Sequence, residues 1–102
     1  MTNQDRPIFR PLTVRGVTLR NRIVMSPMTR MASPDGVPSA PVDAYYRRRA
    51  EHGVGLIVTE GIGVDHPTAL GCGSLDEANM PELHGDAAMG RWREIVAGVH
   101  AA

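Results

Sequence analysis

Cysteine is nearly absent from this sequence, since Cys72 is the single one among 102 residues. A lone cysteine cannot form a disulfide within the chain, and its rarity is typical of a protein kept in a reducing compartment. An excess of charge of one sign is also missing, because 11 basic and 11 acidic side chains give a formal net charge of zero. Such a balance does not favour nucleic acid or an anionic membrane surface as a partner.

Long apolar runs are missing as well. No stretch approaches the roughly 20 apolar residues that cross a bilayer, and residues 1–11 lack the apolar core of a signal peptide. The sequence therefore predicts a cytoplasmic protein without a membrane partner. Its length of 102 residues suits one small domain, and its 42% hydrophobic and 22% charged residues are ordinary for a globular protein.

Three segments carry the patterns of β-structure. Two short alternating runs flank Gly16 within residues 12–20, which predicts a β-hairpin. The apolar run Ile23–Met25 predicts a buried strand that ends at Pro27, because proline donates no ladder hydrogen bond. Residues 55–60, GLIVTE, predict a second buried strand, because an apolar run without alternation is typical of a parallel strand covered on both faces.

Two segments carry the pattern of helices. The first is predicted to begin at Ser39, which is a good N-cap, and to stop at Gly53. The second is predicted to begin at an Asp86 cap, with Leu83 packing back against its first turns. Its apolar residues recur at three- and four-residue spacing and form one face: Met89, Trp92, Ile95, Val96 and Val99.

Several side chains allow both a structural and a functional interpretation. Tyr45 and Tyr46 could stack on a ligand, but their helical spacing favours packing on a core. The basic run Arg47–Arg49 is interpreted as a solvated helix face, with phosphate binding as the alternative. Glu60 closes a predicted buried strand, where a salt bridge or hydrogen bond would hold the end of the strand in place.

The segment from Gly61 to about Gly85 is too long for an ordinary connection, which predicts a functional or mobile stretch. His66 and Cys72 lie in it, and with His84 they could be imagined as metal ligands. Their spacing matches none of the usual zinc patterns, so no metal site is predicted.

The predicted order is hairpin, strand, helix, strand, long loop, helix, which indicates two successive βα units of an α/β fold with a parallel sheet. Two strands cannot bury both faces of a sheet, so the sequence is interpreted as the beginning of such a fold. In an α/β barrel the carboxyl ends of the strands build the active site. The residues Ser26–Thr29 and Gly61 would lie side by side there, and backbone groups could hydrogen-bond a flat polar ring that Gly61 lets approach closely.

Taken together, three segments resemble the start of the old yellow enzyme family: NRIVMSPMTR at 21–30, GLIVTEG at 55–61 and MGRWREIVAGVHA at 89–101. The resemblance runs from about Pro11 to Ala102, in the family's order and spacing. It implies the N-terminal part of a (β/α)8 TIM barrel, with the hairpin 12–20 closing the bottom, a first βα unit at 23–53 and a second at 55–102. It also implies FMN as cofactor, NAD(P)H as reductant and reduction of a small activated alkene by hydride transfer through the flavin.

The resemblance also implies which residues approach the flavin. The residues that pass beside it would be Ser26, Pro27, Met28 and Thr29. The hydroxyl of Thr29 would contact the carbonyl region of the ring and tune its reduction, and Gly61 would be the small residue against the ring. Met31 falls where some members place a residue of the substrate pocket. From the residues alone, Pro27 could merely end a strand and Thr29 merely cap a turn.

Family members continue with a third strand that carries a glutamine, and later with a His/His or His/Asn pair, a tyrosine proton donor and groups for the FMN phosphate. The 102 residues contain none of these segments, so the resemblance implies no catalytic residue here and an isolated chain that does not turn over. The alternative is a non-catalytic fragment that associates with itself or a partner through exposed sheet faces. A different FMN- or phosphate-binding TIM barrel is a third reading, against which Ser26–Arg30 and the Trp92 helix argue.

Overall fold

The computed structural model describes residues 5–66, 69 and 79–102. Within them the regular elements are β1 (Leu12–Val14), β2 (Val17–Leu19), β3 (Val24–Met25), α1 (Ala40–Glu51), β4 (Leu56–Ile57) and α2 (Asp86–Ala101). Strands β1 and β2 form an antiparallel pair, and β3 and β4 form a parallel pair. This order of strands and helices agrees with an α/β chain that begins with a hairpin.

The hairpin turns at Arg15 and Gly16, whose φ angles of +49° and +82° are both left-handed. Two consecutive left-handed residues match the right-handed twist of the flanking strands, so the turn keeps β1 and β2 paired. Across the pair, the hydroxyl oxygens of Thr13 and Thr18 lie 2.8 Å apart and share a hydrogen bond. The turn and this cross-strand hydrogen bond both lie within residues 12–19.

The parallel pair is covered on one face only. Met25 and Ile57 lie opposite each other and pack against the core, whereas Val24 and Leu56 are 50% and 42% exposed. The prediction of strands buried on both faces is wrong for these residues, because both helices pack on the same side of the sheet. The predicted strand 55–60 is also shorter in the structure, since β4 ends at Ile57.

The core lies between the two helices and this covered face. Its buried cluster is Val42, Tyr46, Trp92 and Ile95. The rings of Tyr46 and Trp92 are 6.3 Å apart between centroids, and the Trp92 Nε1–H donates to the Glu82 carbonyl at 3.0 Å. Burial of these large side chains is the main source of stability available to so short a chain.

Part of the predicted apolar face of α2 stays in water. Val96 is 47% exposed and Leu83 is 49% exposed, although both were expected to pack. Together with Met89 and Ala97 they line an apolar groove of about 400 Å³ on the outer side of α2. The groove stays open because α1 covers only the side of α2 that carries Trp92 and Ile95.

The helix ends follow the predicted positions more closely than the predicted contacts. Ser39 precedes α1, but its hydroxyl donates to the Ala32 carbonyl at 2.8 Å instead of capping the helix. Gly53 follows the end of α1 with a φ of +100°, the conformation that glycine favours. The predicted Asp86 cap is wrong: Gly85, with a φ of +83°, is the N-cap and Asp86 is the first helical residue.

Two polar side chains fix the end of α1 to the start of β3. The Asn21 amide donates to the Gly53 carbonyl at 2.5 Å, and its oxygen accepts the Ile23 N–H at 3.0 Å. The guanidinium of Arg20 donates to the carbonyls of Ala50 and Val54. These bonds align the amino ends of the strands, and thereby also their carboxyl ends.

In the part of the chain that the structure describes, no helix combines the length and apolarity needed to cross a membrane.

Candidate functional site

The predicted site residues follow the carboxyl ends of the two parallel strands. Ser26–Thr29 come directly after β3 and are exposed, and Gly61 lies four residues after β4 and is exposed too. A Cβ placed on Gly61 would stand 3.8 Å from the Thr29 hydroxyl oxygen. The structure therefore brings Thr29 and Gly61 together at one edge of the sheet. We call Ser26–Thr29 and Gly61 together the rim.

Not every predicted residue reaches Gly61. Among the described residues, only Thr29 and Met80 approach the Cβ position of Gly61 within 4 Å. Ser26, Pro27 and Met28 form the segment that leads from β3 to Thr29, and Met28 is 63% exposed. They border the same edge of the sheet without touching its second strand end.

The rim offers unused hydrogen-bond donors. The backbone N–H groups of Met28, Thr29 and Gly61 donate to no backbone or side-chain acceptor among residues 5–66, 69 and 79–102. Exposed N–H groups that no protein group engages are available to a ligand. A threonine hydroxyl and free amides beside a glycine suit the polar edge of a flat ring.

Met80 is a neighbour of the rim that the sequence did not indicate. It is 7% exposed, and its terminal methyl lies 3.6 Å from the Cβ position of Gly61. Its segment is tied in place by a parallel bridge between Gly63 and Glu82 and by the Ser33 N–H, which donates to the Asn79 carbonyl at 3.0 Å. No short-range pattern could reveal this contact, because it joins segments about twenty residues apart in the sequence.

Glu60 is buried directly beside the rim. Its side chain is 2% exposed, and its Oε2 accepts a hydrogen bond from the Tyr46 hydroxyl at 3.1 Å. The same hydroxyl accepts the Glu60 N–H at 3.0 Å. The prediction that Glu60 holds the strand end through a hydrogen bond is confirmed, and the partner is Tyr46.

The electrostatics of this pair favour its neutral forms. Burial raises the pKa of Glu60, while the Tyr46 hydrogen bond and the charge of Arg30 oppose that rise. Burial also raises the pKa of Tyr46 to about 12, so its hydroxyl keeps its proton near neutral pH. Glu60 Oε1 is buried without a hydrogen-bond partner among the described residues.

Tyr45 stands between two guanidinium groups. The central carbon of Arg30 lies 3.6 Å from the Tyr45 ring centroid, and that of Arg49 lies 3.7 Å from it. Two groups this close to one centroid must occupy opposite faces of the ring, which is a favourable cation–π arrangement. Tyr46 packs within the core and Tyr45 packs against it, as predicted, and Tyr45 also stacks against two cations.

The basic run is only partly a solvated face. Arg48 is exposed, and Arg47 forms an ion pair with Asp43 at 3.3 Å while its guanidinium lies beside Gly98 of α2. Arg49 is half-buried because it stacks on Tyr45 and donates to the Tyr45 carbonyl at 3.1 Å. These engagements leave no arginine cluster turned towards a common phosphate.

The other candidate residues either lie away from the rim or fall outside the residues that the structure describes. Among residues 5–66, 69 and 79–102, no three histidine, cysteine or acidic side chains gather in a way that could hold a metal ion. Cys72 and most of the long glycine-rich segment lie outside those residues. Met31 follows the rim with a φ of +56°, an uncommon conformation for a residue with a side chain. The Nε2 atom of His84 lies 3.5 Å from Oε2 of Glu82, so this histidine faces a carboxylate away from the rim.

Comparison with known proteins gives a consistent result. The sequence model of the NADH:flavin oxidoreductase / NADH oxidase family matches residues 7–102. A chanoclavine-I aldehyde reductase of Penicillium roqueforti is 37% identical over 95 residues, which are 92% of this chain and 24% of that protein. A 12-oxophytodienoate reductase of Oryza sativa is 32% identical over 98 residues, which are 96% of this chain and 23% of that protein.

Solved structures agree with the sequence matches. The Old Yellow Enzyme of a Pichia species superposes with a TM-score of 0.80 at 31% identity, covering 98% of this chain and 25% of that one. Morphinone reductase in complex with tetrahydroNAD superposes with a TM-score of 0.76 at 33% identity, covering 94% of this chain and 24% of that one. The chain thus spans about a quarter of the length of these relatives. It belongs to the NADH:flavin oxidoreductase / NADH oxidase family, whose members of old yellow enzyme type are FMN-dependent enzymes with a TIM-barrel fold.

Proposed function

We propose that the chain forms the first part of an FMN-binding TIM barrel that reduces activated C=C bonds with NAD(P)H. The hairpin β1–β2 would close the bottom of the barrel, and residues 23–53 and 55–102 would be its first two βα units. The observation that carries the proposal is the meeting of Thr29 and Gly61 at one exposed edge, from two neighbouring parallel strands. Active sites of such barrels lie at the carboxyl ends of the strands.

The residues of the rim fit an isoalloxazine edge. Bound FMN would supply hydride chemistry between the nicotinamide and the alkene, which no side chain can provide. The Thr29 hydroxyl would donate a hydrogen bond to the carbonyl region of the ring, and the free N–H groups of Met28, Thr29 and Gly61 would be available beside it. Gly61 places no side chain at the rim, where a Cβ would be in van der Waals contact with the Met80 methyl at 3.6 Å.

The names of the relatives agree with the reaction type. They include reductases of an aldehyde and of an oxophytodienoate, and one structural relative is a complex with a nicotinamide analogue. We infer a small activated alkene as substrate and NAD(P)H as reductant. We expect no turnover by the 102-residue chain alone, because the rim comes from the ends of only two strands and would leave a reacting flavin in contact with water.

The test is whether the purified chain retains flavin. The visible absorbance of the chain is measured after mixing with FMN and removing free dye, together with that of Thr29→Ala and of Thr13→Ala. We expect the parent chain to retain a flavin band. Thr29→Ala should bind FMN with about fivefold lower affinity, which is the effect of one lost hydrogen bond, and should therefore show a weaker band. Thr13 lies in the hairpin and pairs with Thr18, so its variant should bind like the parent chain.

The contrary outcomes separate two errors. If neither the parent chain nor a variant retains flavin, these residues do not bind FMN unaided, and the proposal of a rim that contacts flavin loses its support. If the parent chain retains flavin and Thr29→Ala binds equally well, the binding site lies elsewhere in the chain.

A second candidate function is self-association or partner binding through the open sheet face. It is favoured by the exposure of Val24, Leu56 and Val58, which are 50%, 42% and 42% exposed. Apolar side chains exposed side by side on a sheet favour association with another apolar surface. The rim lies beyond the carboxyl ends of β3 and β4, whereas this apolar surface lies on the exposed face of the sheet, so each can be tested without the other.

A further inference from the structure

Two adjacent tyrosines of α1 contact the residues that flank the two halves of the rim. Tyr46 bonds to Glu60, the residue before Gly61. Tyr45 stacks against Arg30, the residue after Thr29, with 3.6 Å between the guanidinium carbon and the ring centroid. Each half of the rim is therefore tied to the same turn of one helix.

The bond to Tyr46 replaces the sheet ladder at the point where the strand ends. The Val58 N–H still donates to the Met25 carbonyl at 3.1 Å, which is the last ladder bond of the parallel pair. Two residues later, the Glu60 N–H donates to the Tyr46 hydroxyl at 3.0 Å instead. The direction of the chain at Gly61 is thus set by α1 and no longer by β3.

Hydrogen bonds hold Glu60 through its backbone N–H, its carboxylate and its carbonyl oxygen. The Glu60 N–H and Oε2 both bond to the Tyr46 hydroxyl, and the Glu60 carbonyl accepts the Thr59 hydroxyl at 3.2 Å. The peptide between Glu60 and Gly61 is trans, so its N–H points away from that carbonyl. The Gly61 N–H on the other side of that peptide donates to no acceptor among the described residues, so it is available to a ligand.

The tyrosines themselves are fixed. Tyr46 is 1% exposed and packs against Trp92, which leaves its hydroxyl a single position. Tyr45 is held edge-on to Tyr46 at 5.5 Å between centroids, and Arg49 covers its second face at 3.7 Å. The charged or titratable groups that face this arrangement are Arg30, Arg49 and Glu60.

We propose that Tyr45 and Tyr46 are positioning residues for the flavin-binding rim, Tyr45 for the Thr29 half and Tyr46 for the Gly61 half. The proposal rests on the proposed function only in naming FMN as the ligand. It predicts that the two halves can be displaced separately, each by a change in its own tyrosine. A merely structural role in the core would disturb both halves together.

The experiment compares amide NMR spectra of the purified chain and its variants, first without ligand. Tyr46→Phe keeps the buried ring and removes the hydroxyl; it should move the Glu60 and Gly61 amide signals and speed exchange of the Glu60 amide. Tyr45→Leu removes the stacked ring and should move the Arg30 and Thr29 signals. Tyr45→Phe keeps a ring on which the guanidinium groups can stack and should leave both halves unchanged.

A rescue variant and a reserve variant complete the set. Glu60→Gln still offers Tyr46 an amide oxygen as acceptor, so the Gly61 signal should stay close to that of the parent chain. Should Tyr46→Phe fail to fold, Glu60→Ala removes the acceptor while both tyrosines remain, and it should move the Gly61 signal without moving the Thr29 signal. A Gly61 signal that stays in place in Tyr46→Phe and in Glu60→Ala, or halves that always move together, would overturn the proposal.

Addition of FMN separates this proposal from the one on which it rests. We expect FMN to shift the Thr29 and Gly61 signals of the parent chain, with an affinity about fivefold lower in Tyr46→Phe, as for one misplaced hydrogen bond. If FMN shifts nothing while the variants still displace their own halves, positioning stands and FMN binding by this chain falls. If FMN binds with equal affinity to the parent chain and to both tyrosine variants, positioning falls.

Discussion

At the scale of single residues, the buried Glu60 makes stability depend on pH. Its pKa is raised in the folded chain because burial penalises the carboxylate. A raised folded pKa stabilises the fold below the ordinary pKa of glutamate, and that contribution is lost as the pH rises through the folded value. Glu60→Gln does not titrate and keeps an acceptor for Tyr46, so the variant should gain stability relative to the parent chain as the pH rises.

Urea unfolding of both proteins between pH 4 and pH 8 measures this difference. Glu51→Gln, which removes a carboxylate from an exposed side chain without an ion pair among the described residues, controls for the change in net charge. A parent chain that gains stability on Glu60→Gln by the same amount at every pH would show that Glu60 does not titrate in this range.

Two glycines give a second test at this scale. A methyl group added at Gly55 would be crowded by Asn21, whereas one added at Gly90 would meet no described atom. A Cβ on Gly55 would lie 2.5 Å from Asn21 Oδ1 and 2.6 Å from the Asn21 carbonyl oxygen, both closer than contact allows. Gly55→Ala should therefore lower the free energy of unfolding by about 1–3 kcal/mol. Gly90 in α2 has no described atom within 4 Å of its Cβ position, so Gly90→Ala should raise it by about 1 kcal/mol.

Thermal or urea unfolding compares the three proteins directly. Equal effects of both alanines would mean that Asn21 does not sit against Gly55. The bonds from Asn21 to Gly53 and Ile23 would then be in doubt as well.

Residue types predicted their surroundings where the signal was local or strong. The apolar spacing of Trp92 and Ile95 predicted burial correctly, and Glu60 after an apolar run indicated a hydrogen bond at the strand end. The identity of the partner Tyr46 and the contact of Met80 with Gly61 could not be predicted. Both depend on how distant segments pack, which no pattern within a window of a few residues encodes.

At the scale of elements, the hairpin turn is the place where the sequence is least suited to its structure. Arg15 adopts a φ of +49°, where an ordinary side chain costs about 1–2 kcal/mol. Asparagine tolerates this conformation, and Asn-Gly is the preferred pair for such a turn. Arg15→Asn should therefore raise the free energy of opening the hairpin by about 0.5–1 kcal/mol.

Amide hydrogen exchange of β1 and β2 measures that opening. Arg15→Ala is the matched control, because it removes the same side chain and gives no tolerance for a left-handed φ. Exchange that slows equally in both variants would show that the arginine side chain, and not the backbone, limits the hairpin.

The ends of elements were harder to predict than their order. Ser39 and Asp86 stand at the starts of α1 and α2, yet neither side chain caps its helix, because Ser39 bonds to Ala32 and Gly85 takes the capping position. The strand 55–60 was predicted too long, because the Glu60 N–H leaves the ladder for Tyr46. For Ser39 and for the strand end, a hydrogen bond to a residue outside the element replaces the contact that the local sequence favours.

At the scale of the whole molecule, the rim is complete on one side only. Thr29 and Gly61 meet at the edge of two strands, whereas the relatives that the chain matches are about four times as long. An eight-stranded barrel surrounds its site with strand ends on every side. The sequence predicted this partial α/β arrangement because the spacing of apolar residues within each strand and helix is a local signal. The rim is open on one side because only the two strands β3 and β4 contribute to it.

The open face of the parallel sheet leads to a prediction about the state of the chain in solution. Val24, Leu56 and Val58 are each at least 42% exposed, and the β3–β4 pair presents unpaired edges among the described residues. Burial of such side chains against a second apolar surface contributes about 25 cal/mol per Å². We therefore expect the chain to associate with itself, with an average mass above 11.0 kDa that rises with concentration. Light scattering after size-exclusion chromatography measures this mass.

The variant that tests the face replaces two of its side chains by a polar residue that is still compatible with a strand. Val24→Thr with Leu56→Thr should lower the average mass towards that of a monomer, whereas Val14→Thr with Val17→Thr on the equally exposed hairpin should not. A mass that stays at 11.0 kDa at every concentration would remove self-association as a function of this face. A mass that falls equally in both double variants would show that the chain associates through any exposed apolar side chains and not through this face in particular. Only a selective loss ties association to the strands that also carry the rim, and flavin retention by the associated form would then show whether a second copy completes the site.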